Sequence, residues 1–222
     1  MTEEKKFAKG FCFKKLFLVF VLGCIIGVLW EESYLFIKRY LLDYPDKSYR
    51  LHRGLIYGPF NPVYGLGTLV ITGILCFKKR HWLTTFFLAS LLGGVIEFSC
   101  SYFQELFFGT TSWDYSYMFF SIGGRTNLVY MLFFGLLGTL FCYFVYPLFS
   151  KLVEKLPIIV GNILFYSLLV FFIFDIFISF AAVYRQNMRA EGVESSNSFE
   201  VFLDEKYPDE FLNVIYVNAI RK

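Results

Sequence analysis

Long apolar runs separated by short polar connections dominate the chain. Five of them are long enough to cross a bilayer: Leu16–Ile37, Tyr57–Phe77, Trp82–Phe108, Thr126–Phe149 and Ile158–Tyr184. A helix needs about 20 residues to span the hydrocarbon core. The runs are long and lack two-residue alternation, so they predict helices and not barrel strands. The first run is too long for a signal-peptide core, and no small-residue cleavage site follows it. The pattern therefore predicts an all-α membrane protein, a bundle of five transmembrane helices over 16–184. A basic arm (1–15) precedes it and a polar tail (185–222) follows. That tail carries seven acidic and five basic residues, and Phe199–Ile220 suits a short surface helix.

Composition supports a lipid-facing chain. Of 222 residues, 57% are hydrophobic, 22% aromatic and 18% charged. Soluble domains average about 45–50% apolar and about 25% charged. The excess excludes a disordered chain, a disulfide scaffold and an ordinary soluble enzyme. The net charge of +3 is spread along the chain and does not suggest nucleic acid. Five cysteines, odd in number and without close pairs, make neither a disulfide framework nor a metal motif. Cysteines in apolar runs serve as small hydrophobes.

Lysine and arginine set the expected orientation. Lys5, Lys6, Lys9, Lys14 and Lys15 lie in the arm, Lys78-Lys79-Arg80 in one turn, and Lys151 and Lys155 in another. These segments share one side, taken as cytoplasmic. Lys38, Arg39, Lys47, Arg50 and Arg53 fall on the other side and weaken the asymmetry. Five spans place the amino terminus in the cytoplasm and the carboxyl tail outside.

Two stretches resemble each other. Ile25-Ile26-Gly27, Glu31 and Ser33 in the first span match Leu91-Leu92-Gly93, Glu97 and Ser99 in the third, each 66 residues on. Gly65-Leu66-Gly67-Thr68-Leu69 and Gly135-Leu136-Leu137-Gly138-Thr139-Leu140 follow in spans two and four. Two duplicated helical hairpins in parallel orientation plus one helix explain this; so does chance among Leu/Gly/Phe-rich helices.

Ionisable residues within a span are costly and mark candidate sites. Glu31 and Glu97 each lie 15 residues into their spans, and Asp175 lies 17 into the fifth. At 1.5 Å per residue that is about 22 and about 26 Å from the cytoplasmic edge. Arg53 and Arg125 stand at the outer mouths of spans two and four. One expectation is a polar cavity near the outer face, binding a charged or zwitterionic ligand or relaying a proton. The other is that the carboxylates pair with Arg53, Arg125 or Arg50 and lock the bundle. Glu32 points about 100° from Glu31 on a helix, so one of the two is expected to face inward, and the internal match favours Glu31.

The entrance to span two, RGLIYGPFNPVYGLG from Arg53, places Pro59 and Pro62 among glycines. It reads either as a broken or re-entrant helix forming a ligand site, with Tyr57 and Asn61 as candidates, or as a tight corner with proline in the first turn. In the loop GTTSWDYSYMFFSIGGR, Trp113, Tyr115, Tyr117, Phe119 and Phe120 suit the headgroup zone. Asp114 is placed to accept loop hydrogen bonds or pair with an arginine. Gly23 and Gly27 form a small-xxx-small face for close helix approach.

Neither a P-loop, an H-E-x-x-H motif nor a nucleophile elbow occurs. His52 and His81 lack partners at metal-ligand spacing. No cofactor and no catalytic residue is expected.

The strings RGLIYGPFNPVYGLG, GGVIEFSCSYFQELFFGTTSWDYS and GGRTNLVY, in that order, resemble bacterial integral membrane proteins of the ABC-transporter type IV, or CmpB-like permease, group. The likeness covers about residues 14–184. It implies a multi-pass permease of the bacterial cell membrane, working with a separate ATPase or other membrane subunit, among membrane lipids and with homo-oligomers allowed. The turns at 78–81 and 150–157 leave little room for an ATPase-docking helix. Three functions are carried forward: a transporter subunit, a membrane binding or assembly protein whose charges lock the bundle, and a lipid-modifying enzyme at the outer leaflet.

Overall fold

The computed structural model describes residues 6–45, 48, 49, 51–78 and 80–221, with Ile220 and Arg221 described by backbone alone. Lys5, Lys47, Arg50 and Lys79, which enter the charge pattern above, lie outside the described residues.

Four helices are long and apolar enough to cross a membrane. These are α1 (Phe13–Leu41), α3 (Trp82–Phe108), the continuous helix Leu128–Glu154, and α6 (Ile158–Ala190). The expected second span is shorter. It is α2 (Pro62–Ile71) closed by a five-residue π turn, Thr72–Cys76. Its rise is about 22 Å, against a hydrocarbon core of about 30 Å. The part of the expected span that is not helical, residues 57–61, belongs to the irregular segment 51–61. Pro59 and Pro62 supply no amide hydrogen. Helix starts only where Asn61 caps it, its side chain accepting from Val63 N at 3.0 Å with Pro62 in the first turn. The tight-corner expectation describes this geometry.

The fourth span divides into α4 (Leu128–Leu140), a π turn (Phe141–Val145) and α5 (Tyr146–Glu154), and runs past the expected Phe149. A short ladder pairs β2 (Ser121–Ile122) with β3 (Thr126–Asn127) in the preceding loop.

Packing is built on two antiparallel pairs, α1 with α2 and α3 with α4. Gly23 and Gly27 are required in the first. A Cβ at Gly27 would meet the Tyr64 ring at 2.1 Å, and one at Gly23 the Thr68 hydroxyl at 2.3 Å. In the second pair a Cβ on Gly135 would meet Ser90 Oγ at 2.0 Å. Small residues admit this approach where lipid gives helices little hydrophobic reason to associate.

The basic arm is docked at one end. Lys15 is buried, paired with Glu154 and bonded to Ser150 at 2.8 Å. Phe7 packs against Gly161, Val153 and Phe165.

At the other end the tail folds back. The expected boundary at 185 falls inside α6, whose last turns carry Arg185 and Arg189. Beyond it come α7 (Ser198–Lys206) and α8 (Asp209–Ile215). Their Leu203, Tyr207, Leu212 and Ile215 are buried with Ile56, Ile178 and Ala182. A two-residue strand β4 (Ile220–Arg221) pairs with β1 (Thr110–Thr111). The tail is thus two short helices folded on the bundle end, not a single surface helix.

Candidate functional site

Glu31 and Glu97 occupy matching places in the two helix pairs. Glu31 Oε2 accepts from Tyr64 OH of α2 at 2.7 Å. Glu97, 7% exposed, accepts from Thr126 Oγ1 at 2.7 Å and Tyr115 OH at 3.0 Å. Tyr64 also lies within electrostatic range of Glu97 and Tyr115, so the two carboxylates share one polar cluster. Tyr130 stacks on Tyr115 with ring centroids 4.7 Å apart. Burial and the nearby Glu97 push the Tyr115 phenol well above its usual range, so it stays a donor at neutral pH. Tyr115 therefore turns inward, away from the headgroup role expected of it. Tyr117 and Phe119 are more than four-fifths exposed.

The local sequence explains the match. Asn61-Pro62-Val63-Tyr64 starts α2, and Asn127-Leu128-Val129-Tyr130 starts α4, 66 residues on. Both asparagines are N-caps, and Asn127 Oδ1 accepts from Val129 N at 2.8 Å. The first start brings Tyr64 onto Glu31 directly, and the second brings Tyr130 against Tyr115, which bonds Glu97. Asn61 thus serves its own helix, and its Nδ2 donates to the His52 carbonyl at 3.4 Å.

The arginines sit elsewhere. Arg125 donates to Glu105 at 2.6 Å and Ser101 at 3.2 Å, and lies over the rings of Phe98 and Tyr102. Glu97, Ser101 and Glu105 recur every fourth residue and form one stripe along α3. Arg125 takes the carboxyl-terminal part of that stripe and Thr126 the amino-terminal part. Sequence reasoning missed Glu105 because it stands near the helix end, where a carboxylate is unremarkable. Arg53 donates to the Ile56 carbonyl at 3.3 Å and stays within electrostatic range of Asp175.

Glu32, not Glu31, is the fully buried member of its pair. It meets Arg39 at 3.1 Å and His52 Nδ1 at 3.0 Å. Both glutamates are engaged, Glu31 toward α2 and Glu32 toward the first loop, so the expectation that one alone faces inward is replaced. The 100° between neighbours reaches two different partners.

Asp175 anchors the irregular segment. Its Oδ1 accepts from Tyr57 N at 3.1 Å, and Ser179, one turn on, accepts from Ile56 N at 2.9 Å. Buried backbone amides outside a helix need such acceptors. Asp175 Oδ2 is buried without a hydrogen-bond partner among the described residues. Tyr57 OH meets Tyr207 OH of the tail at 2.9 Å. Asp114 accepts from Ser116 N at 2.9 Å and staples the 109–125 loop. Gly124 beside it has φ +70°, and a Cβ there would strike Asp114 and Ser116.

The predicted site therefore resolves into three places at one end of the bundle. They are the Glu31/Glu97–tyrosine cluster, the Arg125–Glu105 stripe end, and the Asp175 anchor beneath the tail. Among the described residues no group of three or more His, Cys, Asp or Glu side chains is arranged to hold a metal.

One family model, described as "Putative ABC-transporter type IV", matches residues 18–180. The chain belongs to that family. No curated protein and no solved structure matches it. The part matching ABC-transporter type IV includes Glu31, Glu97, Arg125 and Asp175, while α7, α8 and the end of α6 lie beyond it. The family assignment and the apolar helices make this an ABC-transporter-related, multi-pass membrane protein.

Proposed function

We propose that the chain is a permease-like membrane subunit of a transporter, and that the Glu31/Glu97–tyrosine cluster binds the positively charged group of a cationic or zwitterionic ligand near the outer face. One observation carries this. Two carboxylates at matched depth are held by hydroxyl donors, and Glu97 has no cationic partner among the described residues. A buried carboxylate that is not neutralised by the protein favours a cation, and tyrosine faces beside it suit an ammonium group. The matched N-x-V-Y starts and the 66-residue shift support two duplicated hairpins around the cluster. Asp175 Oδ2 supplies a further acceptor at the same end. Residues 51–61 with α2 complete the second crossing, so that the amino terminus is cytoplasmic and the tail is outside. An ATPase or another subunit supplies energy coupling.

The arginine pairs favour a second reading for those residues alone. Arg125 ties the segment before α4 to Glu105 near the end of α3, as a bundle-locking role requires, whereas Arg39 and Glu32 pair within α1.

The test is thermal stabilisation of the purified protein by choline, glycine betaine and spermidine, followed by uptake into proteoliposomes with any co-purifying ATPase. At least one probe raises the melting temperature saturably, and Glu97→Gln removes that rise while melting as a folded protein. Absence of a shift with all three, or a shift unchanged in Glu97→Gln, overturns the assignment.

A further inference from the structure

Cys76 and Cys142 meet at the end of the bundle opposite the glutamate cluster. Cys76 closes the π turn after α2, and Cys142 lies in the π turn after α4. Their Sγ atoms are 2.8 Å apart, although the residues are 66 positions apart in the chain. Their spacing along the chain does not reveal this meeting, which the fold produces. Both thiols are free and partly accessible. Arg80 closes the adjoining turn, its Nη1 donating to the Leu75 carbonyl at 3.1 Å, while Tyr143 OH donates to the Arg80 carbonyl at 2.5 Å. The Arg80 guanidinium thus lies within electrostatic range of Cys142, and a sulfur must attack as thiolate.

We infer that Cys76 and Cys142 are a reversible dithiol–disulfide site, closed by peroxide-class oxidants and reopened by thiol reductants. The geometry asks little of the backbone. A disulfide bond is about 2.05 Å long, so each sulfur moves by about 0.4 Å, within reach of a side-chain torsion. In the first step one thiolate attacks peroxide and becomes a sulfenic acid, releasing one water after proton transfer. In the second the other sulfur displaces the hydroxyl, which leaves as the second water. Two S–H bonds break and one S–S bond forms. The two electrons and two protons reduce one peroxide to two waters. A dithiol–disulfide pair in a reducing compartment is expected to be transient and responsive, not a permanent staple. The bond would tie the ends of the helix after α2 and the helix after α4, two elements that carry the tyrosines at their other ends. Its formation does not depend on what the protein transports.

The experiment uses the full chain in detergent, treated with hydrogen peroxide and then unfolded and counted with a maleimide. Untreated protein shows five reactive thiols; treated protein shows three, loses two mass units and yields one peptide joining Cys76 to Cys142. Dithiothreitol restores five. Cys76→Ser and Cys142→Ser each form no intramolecular link. If either variant fails to fold, the peptide map of the unaltered chain still decides. A treated chain that keeps five thiols, or that links other cysteines or separate molecules instead, overturns the inference.

Discussion

Replacing Gly27 with alanine tests the contact on which the Glu31 site is built. The added Cβ would sit 2.1 Å from Tyr64 Cγ, 2.3 Å from its Cβ and 2.5 Å from Cδ2. Carbon contacts are comfortable at about 3.5–4.0 Å, so α1 and α2 must part by about 1.4 Å. Rotation of the ring gives no relief, because the struck atoms lie at its root. The same displacement lengthens the 2.7 Å bond from Tyr64 OH to Glu31 beyond hydrogen-bond range. Overpacking costs about 1–3 kcal/mol, and a lost interhelical bond in a membrane about 0.6–1.7 kcal/mol. The expected loss is about 2–4 kcal/mol, or about 5–15 °C in melting temperature for a chain of this length. Gly67→Ala is the matched control, since nothing lies within 4 Å of its added Cβ. Alanine favours helix over glycine by up to about 1 kcal/mol, so the control holds or gains stability. Both are read by tryptophan-fluorescence melting in detergent. A Gly27→Ala protein that melts within 2 °C of the parent (about 0.5–1 kcal/mol) would refute the contact, as would a control that falls as far.

Three further outcomes are expected. Arg125→Ala and Glu105→Ala each lower stability by about 1–3 kcal/mol, and the double variant loses less than their sum; full additivity would dissolve the pair. Asp175→Leu leaves Tyr57 N without its acceptor and costs about 1–3 kcal/mol, whereas Asp175→Asn keeps an oxygen there and costs less. Equal losses would remove the anchor role. Bonds from Arg185 and Arg189 hold the Asp204 carboxyl below its usual range. Its folded value lies below its unfolded one, so its contribution is whole above about pH 4 and fades as pH falls through the folded value. Hydrogen exchange of 198–215 therefore shows protection falling toward pH 3, and Asp204→Asn shows reduced protection already at pH 7; protection constant across that range would count against it.

Apolar runs identified the long helices because lipid imposes one rule along each whole span. The second run is helical only from Pro62, and the loop that leads into it is apolar for another reason. Leu55, Ile56 and Phe60 are buried as a loop beneath α6 and the tail. Hydropathy does not separate burial in protein from burial in lipid. The intramembrane acids were legible because charge there is costly. Their partners were not. Whether Arg125 meets Glu97 or Glu105 depends on about two helical turns along α3, and sequence depth resolves no better than that. Tyr64 and Tyr115 were hidden among 16 tyrosines, although the N-x-V-Y string at the 66-residue shift marks the first. Cys76 and Cys142 share that shift, and only the packed π turns reveal why it matters.

The segment between α1 and α2 has a consequence for how the protein is made. The acceptors for Ile56 N and Tyr57 N lie 123 and 118 residues later in the chain. When the first hairpin leaves the ribosome, those amides have no partner. They must remain hydrated, or be shielded by the insertion machinery, until α6 is synthesised. The first hairpin to be made is thus completed late, and truncation before Asp175 would leave its loop end unable to settle into the bilayer. A nascent chain stalled before α6 should be retained by insertion factors, and one released after Ser179 should not.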